Sequence, residues 1–198
     1  MDFGDVVRRR KMIRNYRATP VDPGSLERII DAARRAPSAG NSQGQYLVVV
    51  TEGETRRRIA ELSNEQHYVD RGMPPWMSTA PVHVVVCVRE DDYHERYREP
   101  DKLGADGAEM EWPVPYWWVD GGATMMLLLL GAVNEGLSAG VFGSHRMRGL
   151  KELLQIPADV IPIGIITIGH AASRATTGSA TRGRRPASQT VHRERWGS

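Results

Sequence analysis

Apolar residues at Leu26, Ile29, Ile30 and Ala33 recur at i, i+3, i+4 and i+7, the period of a helix that buries one face. Asp22 and Pro23 ahead of them supply an N-cap and an N1 proline. Pro37 disfavours helical geometry at Ala36, so the pattern predicts a helix over residues 22–36. The period then changes. Tyr46–Thr51 (YLVVVT), Pro81–Val88 (PVHVVVCV) and Ile161–Gly169 (IPIGIITIG) are continuous apolar runs rich in β-branched residues, which predict strands buried on both faces. Glu54–Ser63 predicts a helix with its arginines in solvent, and Leu150–Gln155 a short amphipathic helix stopped by Pro157. Val119–Glu135 predicts a long helix, apolar on nearly every side between Ala123 and Val133. Such a helix has to be covered all round, by its own domain or by a partner. A further short helix is predicted over Asp2–Lys11, capped by Asp2, whereas residues 89–118 are the least regular part. Helices and strands alternate without internal repeats, so the class is α/β or α+β.

A chain of 198 residues suits one domain better than two, and 40% hydrophobic with 25% charged residues gives enough apolar material for a core. Cys87 is the only cysteine, so no intrachain disulfide forms and a reducing compartment fits. The N-terminus lacks the apolar stretch of a signal peptide. The longest apolar run, Ala123–Gly131, falls short of the roughly 18 residues needed to span a bilayer. A soluble cytoplasmic protein is therefore expected, with no membrane partner. The net charge of +2 conceals an uneven layout. Residues 1–35 hold nine Lys/Arg against five acids, and residues 171–198 hold six Arg against one Glu, leaving the middle acidic. A nucleic-acid binder would concentrate basic residues on one face. Two cationic ends suit convergence on one small anion such as a phosphate, so no nucleic-acid partner is expected.

Four clusters carry candidate chemistry. Arg10-Lys11-Met12-Ile13-Arg14 places Arg10 and Arg14 four apart, on one side of any helical turn, as a phosphate clamp or a solvated basic face. Ala36–Gln43 (APSAGNSQ) joins small residues, which let a flat ligand approach the backbone, to the amides of Asn41 and Gln43; an ordinary helix-to-strand loop has the same composition. Arg182-Gly183-Arg184-Arg185-Pro186 is a basic tail. Trp112, Tyr116, Trp117 and Trp118 form either a stacking lid or core packing beside the long helix. No GxGxxG, phosphate-loop or HExxH motif is present. A metal site has no sequence support, and His83, inside a strand, reads as a core histidine.

Taken in order, the arginine-rich segment, the APSxxNxQ loop before a buried strand, the central apolar helix, the stretch Leu153–Gly169 and the late RxRxP tail resemble the FMN-dependent nitroreductase family. The resemblance implies an α+β, three-layer α/β/α fold with a mostly antiparallel central sheet, in an entwined homodimer with two FMN sites at its interface. Residues 1–170 would form the FMN-binding domain, and 171–198 an extended arm completing the phosphate site and the dimer. By the same resemblance Arg10, Lys11, Met12 and Arg14 would hold the FMN phosphate and ribityl chain, with Arg182 and Arg184 reaching the phosphate from the other end. Pro37, Ser38, Ala39, Asn41 and Gln43 would line the isoalloxazine ring, partly from the neighbouring subunit, and Val141, Phe142 and Gly143 would sit at its buried face. Trp112, Tyr116 and Trp117 would form a lid facing a small planar aromatic substrate. Two departures stand out. Met12 replaces a serine, leaving only its backbone N–H for phosphate, and Gly44-Gln45-Tyr46 replaces the usual Pro-Trp. No FMN ligand is assigned between residues 68 and 78. NADH or NADPH would donate hydride and a nitroaromatic or quinone would accept electrons in a ping-pong cycle, with no dedicated catalytic acid or base. A flavin-sequestering protein without turnover, or dehalogenation or ring dehydrogenation on the same fold, are the alternatives.

Overall fold

The computed structural model of the chain describes residues 1–144, 147–172 and 183–197. In chain order its helices are α1 (Phe3–Arg9), α2 (Pro23–Ala33), α3 (Gly53–Leu62), α4 (Glu65–Val69), α5 (Trp76–Thr79), α6 (Asp91–Tyr97), α7 (Tyr116–Asn134) and α8 (Leu150–Leu154). Its strands are β1 (Gln45–Val50), β2 (Val82–Arg89), β3 (Ser138–Phe142) and β4 (Val160–Gly169). They form one sheet in the order β1-β2-β4-β3, every neighbouring pair antiparallel.

Strand β2 organises the core. Val82, Val84 and Val86 pack with Leu26, Ile29, Leu128 and Ala132 of α2 and α7. Val85 and Cys87 pack on the opposite face with Ile59 of α3, Met77 of α5 and Leu150 of α8. Burial on both faces is why this run shows no polar alternation, and it gives the expected three-layer α+β architecture. Burial also pushes the Cys87 thiol up to about 12, which keeps it protonated and unreactive.

The three predicted strands lie within one residue of their expected ends, and Asp22 caps α2 by accepting from the Ser25 N–H at 2.8 Å. Pro162, which lacks an N–H, sits where β4 slips register against β2, between Val86 and Cys87. Several elements differ from expectation, among them α4 and α5, which the pattern does not predict. Helix α1 stops at Arg9, so residues 10–14 are not helical. Instead Met12 makes a parallel bridge to Ala139 and the Ile13 N–H donates to the Ala139 carbonyl at 3.0 Å, extending the sheet beyond β3. Gly140 permits this approach, because a Cβ there would collide with the Ile13 carbonyl oxygen. Strand β3 itself, SAGVF, was not expected, and α6 stands inside the stretch expected to be least regular.

Helix α7 is apolar and long enough to cross a membrane by length and composition alone. Asp120, Thr124, Leu128 and Ala132 are nevertheless buried along one side of it, the packing of a core helix. Its other side is uncovered within one chain: Trp118 is 42% exposed, Val119 54% and Met126 45%. After β4, Ala171 bridges back to Tyr16, and residues 183–197 are mostly exposed with one 3-10 turn at Ala187–Gln189.

Candidate functional site

The segment beyond β3 is fixed from several directions. Tyr16 is buried, with its Oη 2.9 Å from both the Ile13 carbonyl oxygen and Thr167 Oγ1, and the Arg17 N–H donates to the His170 carbonyl at 2.8 Å. An extended chain alternates its side chains, so Arg10, Met12 and Arg14 share one side and Lys11 and Ile13 the other. The helical spacing expected for Arg10 and Arg14 is not formed, because α1 ends at Arg9. Lys11 parts from them. It lines a hollow of about 510 Å³ with Arg8, Arg9, Leu137 and Ser138.

On the other side, the Arg14 guanidinium lies 5.4 Å from the centre of the Trp76 ring. Trp76 meets Phe142 at 5.8 Å and Phe142 meets Tyr68 edge-on at 6.3 Å. Tyr68, Phe142 and Gly143, with Asn64 and His67, line a hollow of about 490 Å³ between the end of β3 and the α3–α4 turn. The fold therefore brings together Arg14, Phe142 and Gly143, which lie far apart in sequence. It adds Tyr68 and Trp76 from the middle segment where no ligand was assigned, and Asn64 and His67 from just before it. Their signal in the sequence was faint: Trp76 follows a Pro-Pro pair, and the rest look like ordinary helix residues.

The loop Pro37–Gln43 is the second candidate place. Gly40, Asn41 and Gln43 have φ of +61°, +58° and +54°, a left-handed conformation costing roughly 1–3 kcal/mol per non-glycine residue unless its surroundings impose it. They do. Ser38 Oγ accepts from the Gln43 N–H at 2.9 Å, the Ala39 N–H donates to Asp120 Oδ2 at 2.9 Å, and Arg96 Nε donates to the Gly40 carbonyl at 2.9 Å. Asp120, buried on α7, also accepts from the Tyr93 hydroxyl at 2.9 Å. Gly40 must be glycine on two counts, its positive φ and the Tyr97 ring 2.7 Å from where a Cβ would stand. Asn41 and Gln43 remain exposed, on a backbone whose shape is imposed from beneath. Asp120 was missed in the sequence, although a lone acid in an apolar helix is itself a signal.

The aromatic group divides. Trp117 is 5% exposed and packs with Val88 and Tyr93. It belongs to the core, which corrects the expectation of a substrate-facing role. Trp112 is partly buried against the same cluster, together with Ala39 of the loop. Tyr116 is exposed, as is Trp118.

The two candidate places lie at opposite edges of the sheet. The loop leads into β1, and the Arg10–Arg14 segment runs beyond β3, four strand steps away or roughly 19 Å. One chain does not unite them. Of the two tail arginines, Arg184 is exposed, and Arg182 lies outside the described residues. Cations beside an aromatic-walled hollow, and a small-residue loop with exposed amides, suit a ligand that is anionic at one end and planar at the other.

Residues 7–170 match the model of the Nitroreductase family. The chain is 30% identical over 193 residues, 93% of its length and 70% of the relative's, to the FMN reductase (NAD(P)H) of Bacillus subtilis (strain 168). It is 27% identical over 191 residues to a putative NADH dehydrogenase/NAD(P)H nitroreductase of Archaeoglobus fulgidus, covering 94% of each chain. Among solved structures, the hypothetical oxidoreductase YcnD from Bacillus subtilis superposes with a TM-score of 0.76 at 25% identity, over 98% of this chain and 75% of that one.

Proposed function

The chain belongs to the nitroreductase family, and from that premise we propose that it is an NAD(P)H-dependent FMN oxidoreductase reducing a planar aromatic acceptor, nitroaromatic or quinone-like. The carrying observation is a hollow lined by Tyr68, Phe142 and Gly143, with Arg14 beside it over Trp76, which packs on Phe142, while the APSAGNSQ loop leads into the opposite sheet edge. The donor set fits FMN: guanidinium groups for a phosphate, flat apolar walls for a ring, exposed amides for its polar edge. Because the two parts are separated within a chain, each site takes its phosphate cradle from one protomer and its 37–43 loop from the other, in a homodimer.

Bound FMN supplies the redox chemistry, taking hydride from NADH or NADPH and passing electrons to the acceptor. The residues of the chain bind and orient. Arg10 and Arg14 neutralise the phosphate, joined by Arg182 and Arg184 of the tail, each charge-assisted bond contributing about 1.5–3 kcal/mol. Backbone N–H groups and the amides of Asn41 and Gln43 would serve as hydrogen-bond donors to the polar edge of the ring. Tyr116, on the exposed flank of α7, offers an aromatic face to a planar acceptor.

The test is anaerobic mixing of the purified, FMN-loaded protein with NADH and with NADPH. Loss of the flavin's visible absorbance with at least one donor, and its return on adding a quinone or nitroaromatic, is expected. A protein that holds FMN but is bleached by neither donor is a flavin-sequestering one. A protein that takes up no FMN overturns the assignment.

A further inference from the structure

Between α6 and α7 the chain runs from Arg98 to Pro115 without a regular element, yet one of its side chains is held by three donors. Glu109, only 17% exposed at its side chain, accepts from Trp112 Nε1 at 2.8 Å and from Arg98 Nε at 2.9 Å, and its Oε1 lies 2.5 Å from His94 Nδ1. The other ring nitrogen of His94 lies 3.3 Å from Glu90 Oε1. Ionised carboxylates only accept hydrogen bonds, so a neutral imidazole, with one N–H, satisfies one of these contacts, and only the imidazolium satisfies both.

The consequences reach the 37–43 loop through rings. Trp112 packs against Tyr97 with centroids 4.6 Å apart, and against Tyr93, Trp117 and Tyr116 at 5.7–6.4 Å. Tyr97 is the ring pressed against Gly40, and its neighbour Arg96 holds the Gly40 carbonyl. We propose that His94 and Glu109 are a positioning pair that seats Trp112, and through it Tyr97, beneath the 37–43 loop, so that the protonation of His94 sets how firmly that loop is held. The inference rests on the reading that this loop faces the flavin.

The groups facing His94 are Glu90 on its own helix, Glu109 on the connecting segment with Arg98 on its second oxygen, and the rings of Trp112 and Trp117. The hydrogen bond to Glu109, and then the one to Glu90, hold His94 above the ordinary histidine range. The pair is therefore intact below that range and opens as pH rises through the raised value.

The experiment follows intrinsic tryptophan fluorescence and FMN affinity of the full chain from pH 5 to 10, in the wild type, Glu109→Gln and His94→Gln. The wild type is expected to show a fluorescence inflection above pH 6.5, with FMN affinity falling about threefold to tenfold across it, the loss of roughly one hydrogen bond's worth of holding. Glu109→Gln moves the inflection down and starts from the weaker affinity, and His94→Gln abolishes it. A wild-type signal flat over this range overturns the proposal without any variant. So does an inflection unmoved in both variants, or one that FMN affinity does not follow. Glu90→Gln, which keeps the Glu109 contacts, should shift the inflection less and serves if a Glu109 variant does not fold. A chain that binds no FMN at any pH overturns the flavin assignment instead, and the fluorescence series then decides the pair by itself.

Discussion

Lys11 and Arg14 stand three residues apart on a segment only a few residues long, and they end on different sides of it. Counting charges along RRRKMIRNY gives no way to tell them apart, because the distinction follows from the isolated bridge between Met12 and Ala139 that seats the segment beside β3. Arg14 lies over Trp76 beside the aromatic-walled hollow, whereas Lys11 lines the other hollow with Arg8 and Arg9. Arg14→Ala is predicted to weaken FMN binding about 10- to 100-fold, the worth of one charge-assisted bond at about 1.4 kcal/mol per decade. Lys11→Ala should change it less than about threefold, the size left to an exposed charge. Flavin fluorescence titration of the two variants checks this. Equal losses would mean that both cations reach the phosphate and that alternation along the segment does not decide which side chains bind.

At the scale of elements, β2 shows what a continuous apolar run hides. His83 lies within it at zero exposure, with Nε2–H donating to the Met77 carbonyl at 2.7 Å and Nδ1 lacking a hydrogen-bond partner. Burial pushes its pKa down to about 4. The folded value lies below the unfolded one, so its contribution is complete above pH 6.5 and is lost as pH falls towards 4, to a total on the order of 3 kcal/mol. Urea unfolding of the wild type is predicted to weaken across that window, whereas His83→Gln, less stable at pH 7, should lack that component. Parallel pH dependences would place the acid sensitivity elsewhere. The three valine- and isoleucine-rich strands and α2 were legible because each carries its own period. Strand β3 was not: in SAGVF a serine, an alanine and a glycine leave no apolar run, and the strand exists because β4 and the Ile13 segment pair with its two edges. Helix α6, DDYHERY, buries only Tyr93, too little for a period to appear. The candidate site divides in the same way. Its loop and its arginines were visible as local motifs, but Trp76 and Tyr68 gain meaning only through contact with Phe142, and the burial of Trp117 depends on a cluster assembled from β2, α6 and α7.

The whole molecule poses a geometric problem that a second copy solves. The 37–43 loop and the Arg10–Arg14 segment border opposite edges of one sheet, roughly 19 Å apart, so a single ligand cannot be shared by them within a chain. The same chain leaves an uncharged stripe along α7 in solvent, formed by Trp118, Val119, Gly122 and Met126 with the half-covered Leu127 and Leu130. A contiguous apolar face of this kind marks an interface, and the proposed function requires a pairing that buries it to bring the loop of one protomer to the other's arginines. We therefore predict a homodimer that persists at micromolar concentration, with an interface above about 2,000 Å². Met126→Arg, which puts a charge at the middle of the stripe, should yield a folded monomer with unchanged far-ultraviolet circular dichroism. The same variant should lose FMN affinity by at least about tenfold although it touches neither the loop nor the arginine segment, because each half-site then lacks its partner. Sedimentation velocity and flavin titration on one preparation separate the outcomes. A Met126→Arg monomer that binds FMN as tightly as the wild type would show that one chain completes the site and that the apolar stripe serves some other contact.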